Sequence, residues 1–161
     1  MIKYSPIIIS GMHRSGSTLL SRILENQGLY MGRSKDINNE SIFFQNINQW
    51  IMSINGSDWD NPKSFQKLES VQKELLKNHL ISYLNSRYNY TYFSRKNFFI
   101  NKKFEDIENL KWGWKDPRNT FTLQIWISIF PNIKVINICR HPIDVINSLL
   151  KRQKKLRIID L

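Results

Sequence analysis

The stretch PIIISGMHRSGSTLLSRIL, residues 6–24, constrains the fold more than any other part of the chain. Its first third is a β-branched run introduced by Pro6 and stopped by Gly11, the pattern of a short buried strand. From Ser17 the period changes. Leu19, Leu20, Ile23 and Leu24 recur as on one face of a helix, and Gly28 is placed to cap its C-terminal end. Between strand and helix, GMHRSGST (residues 11–18) has the Gly-x-x-x-x-Gly spacing and closing Thr of a loop whose backbone amides cradle phosphates. Ser17 occupies the place where a nucleotide triphosphatase carries its lysine, and the cation sits inside the loop instead, at Arg14. A ligand-free glycine turn would show the same two glycines. The run Arg-Ser-Gly-Ser-Thr directly after a β-branched strand favours the phosphate loop.

The remaining periodicity agrees with this start. A second helix is expected from about Glu40 to Ile54, because Phe43, Ile47, Trp50, Ile51 and Ile54 recur at three and four residues and Asn39 can cap it. A third follows Pro62, with Phe65, Leu68, Leu75, Leu76, His79 and Leu80 along one side. On that apolar face His79 reads as a packed core histidine. Residues 85–110 are aromatic, basic and Asn-rich without a period, and no element is assigned to them. Asp116 and Pro117 open a helix, IKVINIC (133–139) reads as a second strand, and Pro142 opens a further helix. Strands alternating with helices, with no hairpin signal, predict a single α/β domain over residues 1–161: a three-layer phosphate-loop-type fold, its parallel sheet flanked by helices.

Composition excludes several function classes. At 161 residues, 41% hydrophobic and 23% charged, the chain suits one soluble domain, and no run is long enough to span a bilayer. The N-terminus lacks a secretory pattern, so a cytoplasmic location is expected. A single cysteine, Cys139, precludes an internal disulfide framework, and no Cys/His spacing suits zinc. The 24 basic and 13 acidic residues give a net charge of +11, a field that attracts anions: nucleic acid, an acidic membrane face or a phosphorylated small molecule.

In a parallel sheet, ligands collect beyond the C-terminal ends of the strands, where helix N-termini present free amides. Three segments arrive there: Gly11 to Thr18, Lys115 to Arg118, and Arg140 to Ser148. Arg140 follows a strand directly, and Ser148 lies two turns into the next helix on the face it shares with Asp144. Each alone reads as a surface residue. Beside a first phosphate loop they read as a second phosphate site, so a nucleoside with phosphates at two ends fits better than a triphosphate.

RSGSTLLSRIL and CRHPIDVINSLLKR together resemble the two nucleotide-binding motifs of the sulfotransferase family that uses 3′-phosphoadenosine-5′-phosphosulfate, and WGWKDPR resembles a segment of its bacterial and tyrosylprotein branches. The resemblance implies that Arg14 sits at the transferred sulfuryl group, with Lys115 sharing its work. It implies that Ser15, Gly16, Ser17 and Thr18 hold the 5′-phosphate, and that Arg140 and Ser148 bind the 3′-phosphate. Sulfuryl transfer passes through a loose in-line state with less charge on the moving group than phosphoryl transfer. Cations and amides of the protein can then stand in for Mg²⁺, and no metal is expected.

An acceptor hydroxyl also needs a base. By analogy with the tyrosylprotein branch, Glu40 in NNES is the first candidate and His13, in the loop itself, the second; Glu40 could equally be a first-turn glutamate favoured by the helix dipole. The acceptor could be a carbohydrate, a peptide tyrosine or a small alcohol. Family members continue beyond the 3′-phosphate motif into a segment that covers the nucleotide, whereas this sequence stops at Leu161. The expectation is a fragment, a short form, or a site completed by an oligomer or partner. Two other classes compete: a phosphate-loop kinase, disfavoured by the missing lysine and metal aspartate, and a non-catalytic basic module that binds nucleotide or nucleic acid.

Overall fold

The computed structural model describes residues 5–54, 56–58, 61, 69–93, 104 and 110–159, with side chains described as far as Lys151. The elements in chain order are β1 (Ile7–Gly11), α1 (Ser17–Asn26), α2 (Ile42–Ser53), α3 (Ser70–Leu84), a 3-10 turn (Arg87–Thr91), β2 (Gly113–Lys115), α4 (Asn119–Ile129), β3 (Lys134–Ile138) and α5 (Pro142–Ile159). β1 is the middle strand. It runs parallel to β2, with Ile8 opposite Trp114, and parallel to β3, with Ile8 opposite Val135 and Gly11 opposite Ile138. The architecture is α/β with a parallel sheet flanked by helices, as the alternation of strand and helix patterns predicts.

Alternation along β1 divides the interior in two. Ile8 points into a large cluster with Phe43, Phe44, Ile47 and Ile51 of α2, Leu76, Leu80 and Leu84 of α3, and Ile125, Trp126 and Ile129 of α4. Ile9 points the other way, onto Leu29 and Met31, where Leu20 and Leu24 of α1 pack. The larger cluster is aromatic at its centre: the Phe44 ring stacks on Trp114 at 3.8 Å and 4°, and Trp126 meets both edge-on. Tyr92 closes this core against β2, its hydroxyl donating to the Gly113 carbonyl at 2.7 Å, and burial raises its pKa well above the ordinary tyrosine value.

Several expectations are corrected here. α1 buries a narrower stripe than its period suggests: Leu20 and Leu24 pack, whereas Leu19 is 67% exposed and Ile23 49%. α2 turns Phe43, Phe44, Ile47, Asn48, Ile51 and Met52 inward and leaves Trp50 and Ile54 exposed. Its N-cap position is Ser41, because Asn39 has a left-handed backbone (φ 61°) and spends its amide on Ser21 and Glu25. α3 buries Leu76, Leu80 and Leu84 but exposes Leu75; Phe65 and Leu68 lie outside the described residues. His79 is not a core residue. It is exposed, and its ring packs against Trp50 at 5.2 Å beside a cavity of about 510 Å³ between α2 and α3. Asp116 and Pro117 lead into α4 through a turn of i to i+3 hydrogen bonds, and regular helix begins at Asn119.

The burial pattern sets an expected contrast in stability. Phe44→Ala removes a fully buried ring from the aromatic stack and should cost about 3–5 kcal/mol. Leu19→Ala, on the exposed side of α1, should change stability by less than about 0.5 kcal/mol. Urea denaturation of the two variants measures both.

Candidate active site

The phosphate-type loop begins where β1 can go no further. Gly11 has φ 141°, and a Cβ there would stand 2.5 Å from the Ile138 carbonyl of β3, so only glycine lets the chain leave the sheet at this point. The Ser15 amide donates back to the Met12 carbonyl at 3.1 Å, Arg14 takes a left-handed conformation (φ 67°), and Gly16 (φ 101°) is the N-cap of α1. A glycine has no side chain with which to cap. The first amides of α1, at Ser17 and Thr18, have no intrahelical carbonyl ahead of them and lie at the positive end of the helix dipole, beside the cavity that both residues line.

β2 delivers the second element. Its last residue, Lys115, is buried, and its ammonium donates to Glu40 Oε1 at 2.8 Å, to the Asn38 carbonyl at 3.2 Å and to Thr18 Oγ1 at 3.5 Å. Glu40 is buried just ahead of α2; its second oxygen accepts from Gln45 Nε2 at 3.1 Å, and its amide donates to Asp36 Oδ1. One lysine thus ties the phosphate-type loop to the segment that carries the proposed base. A buried pair of this kind resists loss of either half far more than an exposed one, because the survivor is left as an uncompensated charge.

β3 and α5 deliver the third element. Arg14 Nε donates to Ser148 Oγ at 2.9 Å, and Arg140 Nη1 donates to the Arg14 carbonyl at 3.1 Å. The two motifs, more than a hundred residues apart in sequence, therefore touch directly. A single cavity of about 330 Å³ is lined by His13, Arg14, Gly16, Ser17, Thr18, Glu40, Lys115, Arg140 and Ser148, which are all the predicted site residues except Ser15. Ser15 is buried under the loop, and its hydroxyl has no hydrogen-bond partner among the described residues. Sequence reasoning missed Arg22, Asn38, Leu19 and Pro117, which also line the cavity. Arg22 lies four residues past Thr18 on the same helix, a spacing that could have signalled it. Four basic side chains, Arg14, Arg22, Lys115 and Arg140, face one acidic side chain, Glu40, so the cavity attracts anions.

Behind Lys115 the turn is held by an aspartate. Asp116, 1% exposed, accepts from the Arg118 amide at 2.9 Å, from the Arg118 guanidinium through both oxygens, and from Asn48 Nδ2 at 3.0 Å. Burial pushes its pKa up from 3.8 to about 6, opposed by the Arg118 charge and the hydrogen bond from Asn48. The folded state therefore holds this proton across a pH range in which the unfolded chain has released it. Asp116's contribution to stability falls as pH rises from about 4 to about 6 and is flat above that. Asp116→Asn should remove this part of the slope, on the order of 2–3 kcal/mol between the two limits. Denaturant titrations of wild type and variant across that range give the difference.

No curated protein and no solved structure matches the chain significantly. The model of the Sulfotransferase family matches residues 6–157, which takes in the glycine loop, the Lys115 turn and the segment from Arg140 to Ser148. The match covers nearly the whole sequence and all three elements that line the cavity. The chain belongs to the sulfotransferase family, whose chemistry is sulfuryl transfer.

Proposed function

We propose that the chain acts as a single domain, resembling the bacterial and tyrosylprotein branches, that transfers the sulfuryl group of 3′-phosphoadenosine-5′-phosphosulfate to a hydroxyl or amine. The observation that carries this reading is the convergence of the glycine loop and the Arg140–Ser148 segment, from opposite ends of the sequence, on one cavity lined by basic side chains. The donor set fits a nucleotide with two phosphates. Ser17 and Thr18 offer amides and hydroxyls at the N-terminus of α1, suited to a 5′-phosphate, while Arg140 and Ser148 suit a 3′-phosphate. When its 5′-phosphate carries sulfate in a mixed anhydride, such a nucleotide would supply an activated sulfuryl group and leave as the 3′,5′-bisphosphate.

The protein's part is electrostatic and geometric. Arg14 and Lys115 hold positive charge beside the loop, where negative charge grows on the departing oxygen, and the α1 amides add a dipole that needs no reorganisation. Glu40 presents its carboxylate to the cavity between Lys115 and Gln45 and is the proposed acceptor of the substrate's proton, with His13 the second candidate. The acceptor is a carbohydrate, a peptide or a small alcohol.

The second phosphate site separates this function from that of an ATP-binding loop. Adenosine 3′,5′-bisphosphate should bind on the order of a hundredfold tighter than adenosine 5′-monophosphate, about 3 kcal/mol from the bonds of Arg140 and Ser148. Arg140→Ala should erase most of that preference and leave the monophosphate nearly unaffected, whereas Ser17→Ala should weaken both ligands. Calorimetry decides. Equal binding of the two nucleotides, or tighter binding of ATP, overturns the proposal. Arg14→Ala should depress turnover far more than it weakens bisphosphate binding, because its contact strengthens where charge develops; steady-state rates beside calorimetric affinities test this.

A further inference from the structure

Asn48 is a polar residue at the centre of the buried face of α2, and it is completely inaccessible to solvent. It does not line the cavity. Its amide nitrogen donates to Asp116 Oδ2 at 3.0 Å and to Asn119 Oδ1 at 2.8 Å. Its amide oxygen accepts from Thr122 Oγ1 at 2.9 Å and from Trp126 Nε1 at 2.8 Å. Both donor hydrogens and both acceptor lone pairs are thereby used. Asn119 extends the network, accepting from Trp114 Nε1 at 3.0 Å and donating to the Ile9 carbonyl of β1 at 3.1 Å.

These contacts join the two elements that supply the Glu40–Lys115 pair. Glu40 stands just ahead of α2, and Lys115 immediately precedes Asp116. Asn48, about two turns along the same helix, grips the turn that begins one residue after Lys115 and includes Pro117, itself in the cavity wall. We infer that Asn48 is a positioning residue: from outside the cavity it sets the place of the Lys115–Arg118 turn, and through it the lysine ammonium on Glu40. This use of the pair rests on the sulfotransferase reading above; the placement of the turn does not. Only an amide meets the requirement, since the site needs donors toward Asp116 and Asn119 and acceptors toward Thr122 and Trp126. An aspartate cannot donate when ionised, and a leucine can do neither.

The discriminating variant is Asn48→Asp. It keeps the acceptor toward Thr122 and Trp126 and sets a second carboxyl against Asp116. The charged groups near that contact are Lys115 and Arg118 on the turn and Glu40 ahead of α2; α4 presents only Asn119, Thr122 and Trp126 to it among the described residues. At about pH 5 the two carboxyls share a proton and the hydrogen bond survives, whereas at about pH 9 both ionise and repel.

Hydrogen exchange, corrected for intrinsic rate, reads the consequence. Because the donor toward Asn119 is lost at either pH, residues 113–119 should exchange slightly faster than wild type at the lower pH and about tenfold faster again at the higher pH, while α3 keeps its wild-type protection at both. A rise shared equally by every element, or the same at both pH values, would mean that Asn48 only stabilises the fold, and an unchanged 113–119 would mean that it does not hold the turn. Either result overturns the inference. If the carboxyl variant does not accumulate folded, Asn48→Ser carries the same measurement at neutral pH, with the rise confined to 113–119 as the expected result and a uniform or absent rise as the contrary one. Adenosine 3′,5′-bisphosphate titrated into wild type keeps the two readings apart: failure to bind removes the sulfotransferase proposal, while the exchange pattern still decides what Asn48 does.

Discussion

Parallel pairing of β1 with both of its neighbours is the constraint from which the site follows. Strands that run the same way end at the same edge, so the segments after Gly11, Lys115 and Ile138 emerge side by side although they are far apart in sequence. Each then leads toward a helix whose N-terminus points back at that edge. The outcome is a crevice rich in amides, hydroxyls and cations before any single side chain is considered. Gly11 shows how tightly the exit is built, for the first atom of any side chain there would meet the Ile138 carbonyl of the neighbouring strand.

The interior beneath this edge is unusually polar for a sheet of three strands. Lys115, Asp116, Asn119, Thr122 and Asn48 are all buried, next to the Phe44–Trp114–Trp126 stack. Buried ion pairs seldom add net stability over apolar replacements, because desolvation consumes most of the Coulombic gain. What this set provides is geometry. The aromatic rings exclude water, and in their low-dielectric surroundings each amide and carboxylate must find its partner, which leaves the turn after β2 few alternative positions.

The two motifs proposed to bind anions differ in how they are made. The loop after β1 is a backbone device: glycine conformations, a helix start and a dipole create it, and side chains only refine it. The segment after β3 is a side-chain device, in which Arg140 and Ser148 act from an exposed strand end and an exposed helix. Arg14 links them, giving its carbonyl to Arg140 and its guanidinium to Ser148.

Local chemistry was legible in the sequence. The strand, glycine loop and helix at residues 7–26, the helix opened by Pro142 and the spacing of Arg140 and Ser148 all follow from propensities and periods set within a few residues. Family resemblance supplied Lys115 and Glu40 as site residues, but their contact spans 75 positions and arises only when β2 docks beside β1. β2 has three residues, too few to carry a period, and its place is decided by Trp112 and Trp114 entering the aromatic core. The exposure of Leu19, Trp50 and His79 was decided in the same way, since an amphipathic pattern says which face is apolar but not how wide a partner will cover it. Asn48 is the clearest case. In the sequence it is one polar residue in a helix, and its function as a four-bonded hub exists only because tertiary packing removes water and surrounds it with the partners that an amide alone can satisfy.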